Sequence, residues 1–176
     1  MRRRLIVSAL TLFGASLMLA ATAEAAGRNP GGIETFRAHL RGVEEVPVVS
    51  TIASGDLTLK VNALQGTIDY VLNFENLQGA VTQSHIHLGQ AGVAGGISLW
   101  LCQTTASPAP AAVAAITPTC PASGFVTGSL TSANVVGPAG QLVVAGEIGE
   151  VISLIRSGFA YGNVHSVAVP GGEVRG

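Results

Sequence analysis

Apolar and polar residues alternate with period two through much of the chain. Phe36, Ala38 and Leu40 alternate with Arg37, His39 and Arg41, Leu57, Leu59 and Val61 with Thr58, Lys60 and Asn62, and Ile68, Tyr70, Leu72 and Phe74 with Asp69, Val71 and Asn73. Side chains of an extended segment point to opposite faces in turn, so the pattern predicts strands with one buried face. Ala63-Leu64-Gln65-Gly66 joins the second and third runs as a hairpin connection. Further strands are expected over Val81–Leu88, Ile97–Cys102, Gly124–Leu130, Phe159–His165 and from Glu173 onward. Turn residues separate them: Gly79, the Gly-rich stretch from Gly89 to Gly96, and Pro170-Gly171-Gly172. One segment changes period. Ile148, Val151, Ile152 and Ile155 fall at i, i+3, i+4 and i+7 before Gly158, which predicts a short amphipathic helix with a glycine stop. Many short strands with turns between them predict an all-β sandwich or barrel over residues 35–176, with one short helix near its C-terminal end.

The N-terminal region has a different pattern. Arg2-Arg3-Arg4, an apolar stretch from Leu5 to Ala21 and Ala23-Glu24-Ala25-Ala26 follow the order of a secretory signal, with cleavage expected after Ala25. A flexible lead-in, residues 26–34, would follow. Removing residues 1–25 takes away three Arg and one Glu, so the formal charge moves from -1 to -3. No basic patch for nucleic acid remains, and no later segment is long and apolar enough for a membrane helix. A periplasmic or secreted location is therefore expected. Cys102 and Cys120 are the two cysteines. In an oxidising compartment they read as a disulfide closing the Ala- and Pro-rich stretch between them, an irregular surface loop by composition.

Four histidines are present. On a strand, His85 and His87 share one face, where two imidazoles can meet a single ion. Tyr161-Gly162-Asn163-Val164-His165 supplies a third histidine on another strand-like segment. If the two strands are neighbours, His85, His87 and His165 form a set suited to copper or zinc. The alternatives are a structural polar network, with Asn163, Glu173 or Arg175 as partners, and a surface for an extracellular protein partner. Glu173 is also a candidate to hold the outer nitrogen of a ligand histidine, and a possible ion-pair partner of Arg175. His39 alternates with core-facing Ala38 and Leu40 and is expected on the surface. The Gly-rich stretch lacks a phosphate loop's Lys-Ser/Thr ending and reads as turn chemistry.

Phe36-Arg37-Ala38-His39-Leu40-Arg41-Gly42 with Glu45-Val46-Pro47, His85-Ile86-His87-Leu88-Gly89, Ser157-Gly158-Phe159-Ala160-Tyr161-Gly162-Asn163-Val164-His165 and Pro170-Gly171-Gly172-Glu173-Val174-Arg175-Gly176 occur in this order. Together they resemble the CHRD domain, a family named for repeats in secreted chordin and found singly in bacterial exported proteins. The resemblance implies an all-β, immunoglobulin-like or barrel-like domain and no defined enzyme activity. Gly162 and Ser166 stand where the family usually has Val and Thr. The chain stops at Gly176 where relatives commonly continue, a difference expected to loosen the last ladder. The H-x-H strand is also similar to the copper-ligand strand of copper/zinc superoxide dismutases, but a dinuclear site of that kind needs more than the four histidines present.

No G-x-S-x-G and no identifiable pair of catalytic acids is present. The sequence thus points to an exported metal-binding domain, with a non-enzymatic cell-surface or matrix interaction module as the alternative. Mononuclear copper redox chemistry is the one enzymatic branch left open.

Overall fold

The computed structural model describes residues 32–176. The expected secretory signal, and the expected lead-in up to residue 31, lie outside the described residues. The period-two runs form β1 (Glu34–Arg41), β2 (Ser54–Asn62) and β3 (Thr67–Glu75), followed by β4 (Val81–Leu88) and β5 (Gly96–Cys102). A one-turn helix α1 (Ala111–Ala114), β6 (Gly124–Leu130), α2 (Ile148–Arg156), β7 (Ala160–Ser166) and β8 (Val174–Arg175) complete the domain. All eight strands join one sheet in the order β5-β4-β7-β8-β1-β2-β3-β6, and every pairing is antiparallel. The sheet curls into a nearly closed barrel, so the fold is all-β, as the alternation predicts.

Apolar side chains from alternate positions fill the interior, among them Leu40, Leu57, Leu59, Val61, Ile68, Leu72 and Phe74. The two edge strands, β5 and β6, come together across the remaining seam. Tyr70 of β3 donates its hydroxyl to the Leu101 carbonyl of β5 at 2.6 Å. The segment after β6 lies against β5, with a Leu99–Val135 bridge and a Val136 N–H to Ser98 C=O bond. Unpaired strand edges cost stability and invite association, and these contacts cover them.

Helix α2 buries Val151, Ile152 and Ile155. It stops at Gly158, whose positive φ of 75° lets the Gly158 N–H reach the Ile155 carbonyl and the Phe159 N–H the Leu154 carbonyl. An ion pair from Arg156 to Glu34 fastens the helix to β1.

The cysteine loop differs from expectation. Composition predicts an irregular loop, but α1 makes it a second helical element. Its Val113 packs with Ala109 against Trp100 in a small core of its own. The Gln103 side chain donates to the Ala114 and Thr117 carbonyls and accepts the Ala109 N–H, organising the loop from inside. A Cys102–Cys120 disulfide closes it.

Backbone bonds carry the last ladder on to Gly176. Gly176 exchanges two backbone bonds with Gly162, at 2.8 and 3.1 Å. A Cβ on Gly162 would lie 2.8 Å from Cδ2 of Leu57, so here Leu57 occupies the space that a larger residue would need.

Candidate metal centre

The centre is built on the outer face of β4. His85 and His87 project there, while Ser84, Ile86 and Leu88 take the opposite face. Neighbouring β7 pairs Gln83 with His165, His85 with Asn163 and His87 with Tyr161, so the third histidine arrives on the same face. On the other side β5 slips register by one residue between Ser84 and His85, and again between Ile86 and His87. Such bulges re-aim side chains. Here they set Trp100 opposite His85, its ring centre 4.2 Å from the imidazole in an edge-on contact. Tyr161 stacks on His87 with ring centres 4.9 Å apart and planes 4° from parallel. The face that alternation leaves polar is thus covered, and all three histidines are buried.

One candidate nitrogen from each of His85, His87 and His165 lies within 4.8 Å of the other two. The backbone fixes two of the tautomers. His87 Nδ1 is 3.0 Å from the Gly95 carbonyl and His165 Nδ1 is 2.9 Å from the Pro170 carbonyl. A carbonyl only accepts, so each Nδ1 carries the proton and each Nε2 presents a lone pair. The Nε2 of His165 faces Nδ1 of His85 at 3.2 Å. Two nitrogens each about 2.0–2.1 Å from a tetrahedral ion lie roughly 3.3 Å apart, so this spacing suits a shared metal. His87 Nε2 is sealed from solvent and has no partner. The donor set therefore fits a transition-metal ion.

Burial makes the charged imidazolium unfavourable. It lowers the pKa of His87 to about 4, with the Gly95 carbonyl pulling the other way, and lowers that of His165 against the pull of the Pro170 carbonyl. His85 is driven far below its ordinary range by burial, and further by the neighbouring His165 and His87. All three rings are neutral near pH 7, the state in which imidazole binds metals.

Glu173 does not hold a histidine. Its Oε1 accepts from Thr51 Oγ1 and the Gln78 N–H, each at 2.8 Å, and its Oε2 from Ser166 Oγ at 2.5 Å. Backbone carbonyls fill the role expected of it, because the tight turns after β4 and β7 bring them closer to the rings than any carboxylate. Nor does Glu173 pair with Arg175, which donates instead to the Val93 carbonyl. Asn163 stands opposite His85 in the ladder, but its side-chain oxygen is buried and bonded to none of the three rings. His39 is remote from the centre, exposed and 2.9 Å from Asp56.

The residues that sequence reasoning passes over are Trp100, Tyr161 and Gly95. A Cβ on Gly95 would lie 1.8 Å from the Leu88 carbonyl oxygen, so only glycine brings this carbonyl to His87. Its place in a Gly-rich turn, eight residues after a histidine, was the available signal.

A family model, the CHRD domain, matches residues 36–176. The chain belongs to the CHRD domain family. CHRD domains are generally extracellular, and the disulfide accords with an oxidising compartment. No helix among the described residues of this CHRD domain is long and apolar enough to cross a membrane. No curated protein and no solved structure matches the chain.

Proposed function

We propose that this CHRD domain is exported by a signal cleaved after Ala25 and binds one transition-metal ion, copper or zinc, through His85, His87 and His165. The observation that carries the reading is the convergence of three buried imidazoles, one nitrogen of each within 4.8 Å of the other two, with backbone carbonyls holding the Nδ1 of His87 and of His165 so that each Nε2 presents its lone pair. Neutral nitrogen donors suit both ions, and three protein ligands leave a coordination position for water or a small ligand. Such an ion would act as a Lewis acid and, if copper, as a one-electron centre.

The test is metal analysis of mature protein purified from the periplasm or medium, with calorimetric titration of the chelated protein. About one ion per chain is expected. His87→Gln should weaken binding at least about tenfold while the fold persists, and a triple His→Ala variant should bind none. Full retention of metal by the triple variant defeats the proposal.

One observation favours a second reading. The 3.2 Å contact between His85 and His165 also suits a direct imidazole–imidazole hydrogen bond. In that case the histidines serve the fold of an extracellular interaction module. No ion then raises the melting temperature, and His165→Ala destabilises the protein equally in chelator and in metal.

A further inference from the structure

The three imidazoles bring no negative charge to an ion placed between them. Among the described residues no carboxylate and no thiol joins the group of His85, His87 and His165, and both cysteines are spent in the disulfide. The outer nitrogens of His87 and His165 lie on the carbonyls of Gly95 and Pro170, which supply dipoles where a carboxylate would supply a charge. Glu173 is spent on Thr51, Gln78 and Ser166. Ser166 follows His165 in β7, so the two side chains point to opposite faces of the sheet. Rings form the walls, Trp100 edge-on to His85 and Tyr161 flat on His87.

The charge that reaches the centre is positive. Arg175 lies over the Tyr161 ring, 4.0 Å from its centre, and Tyr161 in turn stacks on His87, whose imidazolium the Arg175 charge disfavours. Arg175 is only 4 % exposed, yet no carboxylate among the described residues lies within ion-pair reach of it. Glu45 feels the same charge, but burial pushes its pKa up to about 7. Taking an ion out of water costs free energy that grows as the square of its charge, so a dication costs about four times as much as a monocation. A fixed positive charge repels the dication about twice as strongly. Zinc also takes a fourth ligand, often water, whereas the Nε2 atoms of His85 and His87 are sealed from solvent. Cu(I), a closed-shell monocation satisfied by three nitrogen donors, avoids all three costs.

We propose that the centre selects Cu(I) over divalent ions, because no counter-charge stands beside the histidines and Arg175 adds a positive one. The inference rests on the metal-binding reading and narrows it to one ion. The test is titration of the metal-free mature chain with Cu(I), under ascorbate and in competition with bicinchoninate, and with Zn(II) and Cu(II) by calorimetry. One Cu(I) per chain is expected, bound at least about tenfold tighter than Zn(II) or Cu(II). Asn163 stands opposite His85 in the ladder with its side-chain oxygen buried and unpartnered, so Asn163→Asp adds a negative charge without changing shape. It should tighten Zn(II) at least about tenfold and Cu(I) by less. Arg175→Gln should move the ratio the same way, and Arg175→Lys should keep the parent's preference. If circular dichroism shows that Arg175→Gln does not fold, Asn163→Asp decides, and the parent's own ratio needs no variant. The proposal is overturned if Zn(II) or Cu(II) binds the parent as tightly as Cu(I), or if a folded Asn163→Asp protein prefers Cu(I) over Zn(II) by the parent's ratio. Divalent binding lost in the triple His→Ala variant would overturn it and leave the metal-binding reading standing, whereas a parent that takes up no ion defeats both.

Discussion

Glu45 shows how far the buried environment reaches beyond the histidines. It is 7 % exposed, its Oε1 has no hydrogen-bond partner, and a Cβ on neighbouring Gly172 would touch both this oxygen and the Asn163 amide. Burial pushes its pKa up to about 7, although the Arg175 charge and the Val46 N–H both favour the ionised form. Below about pH 4.5 the group is protonated in folded and unfolded chains alike, so the shift has no effect on stability. As pH rises from there to 7, the unfolded chain ionises first, and the folded state loses up to about 3 kcal/mol. Glu45→Gln keeps the shape without the charge. Its thermal midpoint should exceed the parent's at pH 8 and match it at pH 4, and an equal effect at both values would show that the fold leaves the Glu45 pKa unshifted.

Among the elements, the cysteine loop separates two sources of order. The disulfide restricts the unfolded chain, worth about 3 kcal/mol for a loop of this size. The Gln103 bonds and the Val113–Trp100 contact shape the folded loop itself. Replacing Cys102 and Cys120 together by Ala should therefore lower stability in urea by about that amount while leaving native Trp100 fluorescence unchanged. A red shift in the folded protein would mean that the bridge, not the internal contacts, builds the loop. The same region marks the limit of what the sequence reveals. The strands β1, β2 and β3 announce themselves because their apolar period is local, and α2 does so through its change of period. Helix α1 does not, because four small residues in an Ala- and Pro-rich stretch carry no periodicity, and the side chain that organises them, Gln103, lies at the start of the stretch, eight residues before the helix. At the centre, His85 and His87 share a face by the geometry of any strand. The arrival of His165 depends on the pairing of β4 with β7, set by the whole sheet order. The carbonyls of Gly95 and Pro170 are backbone atoms, and no residue type reports where a carbonyl will point.

At the scale of the whole molecule, the barrel is closed by side chains as well as strands. Tyr70 spans the seam from β3 to β5, and its ring lies over Gly128 of β6. Tyr70→Phe keeps the ring and leaves the Leu101 carbonyl without its donor, a loss of about 1–3 kcal/mol measurable by denaturant unfolding. Amide exchange along β5 and β6 should quicken while that of β1 and β2 stays nearer the parent's. Uniform quickening across the sheet would show that the seam opens only with global unfolding.

The sheet order also fixes a sequence of events. Strand β8 belongs between β1 and β7, and the His85–His165 contact joins residues 80 positions apart. Contacts so distant along the chain form slowly and late, after the loop between them has been gathered in. A chain delivered N-terminus first, from a ribosome or through a translocation pore, has its β1–β2–β3 meander long before β7 and β8 emerge to complete the sheet. Until then two of the three imidazoles stand on a strand lacking one neighbour, and their third companion has not arrived. An ion held by all three would thus have to be acquired where β7 and β8 are released, so the compartment of release would govern which metal reaches the protein.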